Sequence, residues 1–184
     1  MNLKESIGLT LIQQPRTVII DNEELTIKEL TPYYKHGSGF AWGYGGQGPH
    51  DLSWGICYRL YGRFWASLLY GQFLELYIKS WSWDIPEQEL IIDLTAINEI
   101  IVKIPIIKVK WKIELHEFDP EIRDFVENGT VKDEVIEFED IPYDHNTGLY
   151  STNKAMFEIL KERHGDGWYA LKFQPELISS RSLN

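Results

Sequence analysis

The sequence predicts an α+β protein, and three observations carry that prediction. A β-branched, turn-rich start is followed by an aromatic, helical middle and then by a strand near residue 110 with clean period-two alternation. The 184 residues are 43% hydrophobic and 25% charged, the balance of a globular chain long enough to bury a core.

Taken in order, residues 9–13 and 17–20 are short β-branched runs separated by Pro15 and closed by the turn pair Asp21-Asn22. With residues 25–27 they predict an N-terminal β-hairpin extended to a small meander. Residues 31–48 hold many glycines and no periodicity, and are expected to form an ordered Gly/aromatic loop. Pro49 suits the first turn of a helix and Asp51 suits its dipole, so a helix of about three turns should follow. A second helix is expected over residues 64–81, where Leu68, Leu69, Phe73, Leu76 and Tyr77 recur at mostly helical spacing. Residues 90–93 read as a short strand, and Thr95 as the cap of a helix over 96–102.

From Ile107 the period becomes two. Ile107, Val109, Trp111, Ile113 and Leu115 alternate with Lys108, Lys110, Lys112, Glu114 and His116, a strand dry on one face and wet on the other. Asp119-Pro120 is expected to start a short helix ended by Asn128-Gly129. A strand over 135–139, a helix from Ser151 or Thr152 to Arg163 stopped by Gly165, and a strand over 168–173 complete a small antiparallel sheet with two helices. No internal repeat is visible. A boundary near Lys103 divides residues 1–103, the Gly/aromatic α+β domain, from 104–184, a C-terminal α+β extension expected to pack on it.

The net charge is −10, and both parts are acidic. Residues 1–103 carry 8 basic and 12 acidic side chains (−4), and 104–184 carry 10 and 16 (−6). That argues against nucleic-acid binding, which needs basic surface to displace counterions. Cys57 is the only cysteine, which excludes an intrachain disulfide and a cysteine zinc cluster. No stretch approaches the roughly 18–20 apolar residues of a membrane helix, and no leader-like apolar run opens the chain. A cytoplasmic protein in a reducing compartment is expected.

The candidate functional centre is the segment from His36 to Asp51. Seven of the 14 glycines fall between Gly37 and Gly55, and 15 of the 25 aromatic residues between Tyr33 and Trp83. Gly43-Tyr44-Gly45-Gly46-Gln47-Gly48 formally matches G-x-G-x-x-G. The acidic residue that a dinucleotide fold places about 20 positions later is missing, because no Asp or Glu occurs over residues 52–74. No Gly-Lys-Ser/Thr follows, so a P-loop is excluded as well. Clustered glycines allow amide N–H groups to converge on an anion, and a helix N-terminus adds its dipole. The expected ligand-binding residues are therefore Gly45, Gly46 and Gly48 for an anionic or carbonyl group, Trp42 and Tyr44 as aromatic walls, and His36, His50 and Asp51 nearby. The other reading of such a loop is architectural: backbone packed tightly on an aromatic core.

The run Gly39-Phe40-Ala41-Trp42-Gly43-Tyr44-Gly45-Gly46-Gln47-Gly48-Pro49, with Asp51-Leu52 and Ile56 after it, resembles the hallmark of a small domain family of unknown function. That family occurs in bacteria and their mobile elements, phages included, and its pattern has Ser where Gln47 stands here. The resemblance extends over about residues 16–102, taking in the aromatic helix with Tyr70, Phe73 and Tyr77. It implies a phage or plasmid accessory role and brings no mechanism.

Other chemistry finds little support. The pairs His50-Asp51 and Asp144-His145 lack metal-ligand spacing, so no metal and no cofactor is expected. Cys57 and His50 would lie two helical turns apart, about 10 Å by helical rise. Glu137, Glu139 and Asp140 read as a solvated strand edge. The expected function is a non-enzymatic binding protein holding a small anionic, nucleotide-like ligand. The alternatives are a module that inhibits or adapts a host protein, and a hydrolase with His36 or His50 as its base.

Overall fold

The computed structural model describes residues 3–26, 39–143 and 149–181. The chain divides into two units, Met1–Lys103 and Ile104–Asn184. The architecture is α+β, with two antiparallel sheets and four α-helices among the described residues.

In the first unit the β-branched start forms β1 (Ser6–Gln13), β2 (Arg16–Ile20) and the short β3 (Glu23–Glu24). β4 (Glu87–Asp93) adds to the free edge of β1, giving the order β3-β2-β1-β4. Leu9 pairs with both Ile20 and Leu90, and Ile7 with Ile92, so one face of the sheet collects the apolar side chains. Helices α1 (Gln47–Tyr61) and α2 (Arg63–Leu76) join at Gly62 and bury Leu52, Trp54, Ile56, Trp65, Leu69 and Phe73. Ser53 ties them together by donating to the Tyr70 carbonyl at 2.5 Å. The expected long second helix is shorter, because the chain turns at Tyr77 into a single 3₁₀ turn, Ile78–Ser80.

α3 (Thr95–Ile101) buries Ile97 and Ile101. Its cap differs from the expected one. Leu94, not Thr95, holds the cap position and makes no side-chain cap bond. Asp93, just before it, closes the N-terminus instead, its Oδ1 accepting from the Thr95 backbone N–H at 2.8 Å and the Thr95 hydroxyl at 2.6 Å.

The second unit is organised on β5 (Ile106–Asp119), whose apolar side chains are buried in strict alternation from Ile107 to Leu115. β7 (Val131–Pro142) and β8 (Trp168–Arg181) pair with β5 over the same residues and so occupy its two edges. Both outrun the strands expected from sequence. Their ends are set by hydrogen bonding to a 14-residue partner, which overrides the weak strand preference of Glu134, Gln174 and Ser179. α4 (Tyr150–His164) buries Thr152, Ala155, Met156 and Leu160, one helical stripe.

The short helix expected after Asp119-Pro120 is instead a hairpin. Asp119 Oδ1 accepts from the backbone N–H groups of Glu121 (2.8 Å) and Ile122 (3.4 Å), and β6 (Asp124–Phe125) folds back on Phe118 and Asp119. Phe118, Phe125 and Tyr169 meet with ring centroids 5.7–6.0 Å apart, contacts a helix would have lost.

Candidate functional site

The inward face of the first sheet is apolar until its last register pair. Ile7, Leu9 and Leu11 are buried on β1, and Gln13 continues that series. On β2 the matching series is Arg16, Val18 and Ile20. Gln13 and Arg16 are direct partners in the ladder, so both side chains project from the same face, about 5 Å apart at Cβ. A dry strand face thus ends in an amide and a guanidinium.

Gln13 is fixed in place. Its backbone N–H donates to the Pro86 carbonyl at 2.9 Å, and its Nε2 donates to the Trp83 carbonyl. Since only the NH₂ can face a carbonyl, Oε1 stays as an acceptor. Arg16 is exposed and has no ion-pair or hydrogen-bond partner among the described residues.

The glycine–aromatic run builds the opposite wall. Gly43 has φ +82° and donates its N–H to the Ile78 carbonyl at 3.0 Å. A Cβ there would stand 2.6 Å from the Trp81 carbonyl oxygen and 3.0 Å from Trp83 Cβ, so only glycine lets these two segments touch. Trp42, 3% exposed, donates its indole N–H to the Ser82 carbonyl at 3.0 Å. Gln88 donates to the same carbonyl. Residues 78–83 are thereby bound to the glycine run, to β1 and to β4.

Two aromatic side chains stand out from this frame, Tyr44 at 51% and Trp83 at 65% exposure. The Tyr44 ring lies over Gly46, where a Cβ would approach Tyr44 Cε2 to 2.3 Å. Gln13, Arg16, Trp42, Gly43, Tyr44 and Trp83, with Ala41, line a cleft of about 370 Å³, the size of a small-molecule site.

Of the residues singled out from sequence, Trp42 and Tyr44 line this cleft. Gly45 abuts the Lys79 side chain, and Gly48 sits in the first turn of α1 against Ala41 and the Gly39 carbonyl. His50 packs on Tyr70 with ring centroids 5.9 Å apart, and the buried Asp51 accepts from Gln47 Nε2 at 2.7 Å. Gly45, Gly46, Gly48, His50 and Asp51 are not among the lining residues. His36, the 31–38 part of the expected loop and the Asp144-His145 pair lie outside the described residues. Sequence reasoning missed Gln13, Arg16 and Trp83. The available signal was a polar pair at inward positions of two otherwise apolar strand faces.

Burial pushes the Cys57 thiol well above its ordinary range, which leaves it inert as a nucleophile. Among the described residues no group of three or more His, Cys, Asp and Glu converges as a metal site would require. No helix of the described residues is long and apolar enough to cross a membrane.

Residues 9–103 match the model of a family of unknown function, DUF6166. No curated protein and no solved structure matches the chain.

Proposed function

This chain belongs to that family of unknown function, and from its own residues we propose that it is a non-enzymatic binding protein. Its cleft takes a small ligand made of a flat ring and an anionic group. The observation that carries this reading is Arg16, a cation with no partner among the described residues, beside the exposed rings of Tyr44 and Trp83. A guanidinium facing open aromatic walls suits a ligand that stacks and carries negative charge. In the mobile-element setting implied by the glycine–aromatic motif, such a protein would act as a phage or plasmid accessory in the host cytoplasm, withdrawing a nucleotide-like molecule from use. The glycines support this indirectly, by holding Tyr44 and Trp83 in place before a ligand arrives.

The test is a thermal-shift and tryptophan-fluorescence screen of aromatic anions, with nucleotides and 1-naphthyl phosphate included. Arg16→Ala and Tyr44→Ala should each weaken binding by about 10-fold or more. If no aromatic anion stabilises the protein or alters its fluorescence, the reading fails.

A second reading, an interaction module for a host protein, is favoured by β8. Among the described strands it pairs with β5 alone, and it exposes Leu171, Leu177 and Ile178. Capture of a partner from host lysate that is lost in Leu177→Asp would support it, and equal capture by both proteins would count against it.

A further inference from the structure

Resting on the cleft assignment above, we infer that the ligand class is a nucleoside monophosphate: one hydrogen-bond-donating heteroaromatic ring and one phosphate. Three features of the cleft lead there.

The first is the polarity of Gln13. One N–H of its NH₂ is committed to the Trp83 carbonyl, so what the amide can still offer the cleft is Oε1, an acceptor, with the second N–H beside it. An acceptor beside an aromatic wall selects rings that carry an N–H or an exocyclic amine at their edge, as nucleobases do. A plain hydrocarbon ring would leave that oxygen unsatisfied on binding, which is penalised.

The second is the charge count. Among the described residues Arg16 is the only cationic one lining the cleft, and it stands opposite Gln13 in the β1–β2 ladder. It can form a forked pair with one phosphate. Further phosphates would meet no cation from the described lining, in a part of the chain whose formal charge is −4 from 8 basic and 12 acidic residues.

The third is size. About 370 Å³ lies toward the small end of ligand sites, room for one base with its sugar and phosphate. Because Gln13 and Arg16 are register partners on one short hairpin, the ring edge and the phosphate must be read close together. That suits a compact 5′-monophosphate folded over the hairpin end.

Calorimetric titration of the full chain with four kinds of probe tests this: nucleosides, their 5′-monophosphates, their 5′-triphosphates, and 1-naphthyl phosphate. At least one monophosphate should bind about 10-fold or more tighter than its nucleoside. It should also outbind 1-naphthyl phosphate and be matched or exceeded in affinity by no triphosphate. Arg16→Ala should erase the gain of monophosphate over nucleoside. Equal binding of 1-naphthyl phosphate and the best monophosphate overturns the donor-edge inference while the cleft assignment stands. Tighter binding of triphosphates overturns the single-charge inference in the same way. If no probe binds, the cleft assignment falls and this inference falls with it.

Discussion

Each unit of this chain is built on a four-stranded antiparallel sheet with an apolar face, yet the two treat their charges differently. In the second unit the wet face of β5 is neutralised along its length. Lys108 meets Glu139 at 2.6 Å and Glu137 at 3.2 Å, Lys112 meets Glu176 at 2.9 Å, and Glu114 accepts from Lys172 at 3.0 Å. In the first unit the inward face ends at Gln13 and Arg16, where the guanidinium has no partner among the described residues and aromatic rings stand beside it. A matched ladder of exposed charges adds little energy and leaves no unmet valence. An unmatched cation on an inward position is a valence held open, and that difference locates the candidate site.

The largest expected effect tests whether the first unit is a rigid frame. Gly43 and Gly165, one in each unit, both have positive φ, and alanine at either should cost about 1–3 kcal/mol of backbone strain. Only Gly43 has backbone against it, the Trp81 carbonyl at 2.6 Å from an added Cβ, while Gly165 faces open space. Gly43→Ala should therefore exceed Gly165→Ala by about 1–3 kcal/mol, the cost of overpacking. Urea unfolding measures both. Equal losses would mean that residues 78–83 yield easily and that the frame is not rigid.

Acid should separate the two regions next. In the second unit, burial pushes the Glu134 carboxyl up, but hydrogen bonds from His164 and Arg163 outweigh it and hold the group below its ordinary value. Glu114 is lowered by His116 and Lys172, Glu137 by Lys108, and Glu176 by Lys112. The first unit has Asp21, lowered by Lys4 and the Gly8 N–H, and Asp93, lowered by Thr95. A carboxyl whose folded pKa is depressed stabilises the fold fully above its unfolded value, about 4.3 for Glu, and loses that contribution as pH falls through the folded value. Amide exchange compared at about pH 6 and pH 3 should show β5 and β7 losing more protection than β1 and β2. Glu134→Gln should narrow the gap. A uniform loss would contradict the contrast drawn between the sheets.

How much of this was legible in the sequence is shown by two aspartates. Asp93 and Asp119 each accept a hydrogen bond from the backbone N–H two residues on, both at 2.8 Å. After Asp93, Ile97 and Ile101 recur at helical spacing and become buried, so the turn grows into α3. After Asp119 the apolar residues meet strand partners instead, and Phe125 returns to Phe118 and Tyr169. The local signal was readable in both places, but the winner at residues 119–125 was a tertiary ring cluster that periodicity does not reveal. β5 was plain because its own alternation decides its faces. The cleft was half legible: Trp42 and Tyr44 follow from the motif, whereas Arg16 becomes visible only once the register shows which way it points. Asp93→Ala should cost about 1 kcal/mol, the usual loss of a helix cap. Asp119→Ala should cost less, since the rings also hold that turn, and a larger loss there in urea unfolding would overturn the comparison.

The smallest effect sharpens the contrast most directly. Lys112 is tied to Glu176, both about half exposed, so Lys112→Ala should lower stability by no more than about 1 kcal/mol. Arg16 has nothing among the described residues to lose, so Arg16→Ala should leave stability unchanged within about 0.5 kcal/mol. The two variants should trade places when binding is measured: Lys112→Ala should keep the affinity of the cleft for an aromatic anion, and Arg16→Ala should lose it. A residue kept for folding shows its value in the unfolding curve, and one kept for a ligand shows it in the titration. If Arg16→Ala destabilises the protein as much as Lys112→Ala and leaves binding intact, Arg16 is one more surface charge, and the open valence that marks the cleft is gone.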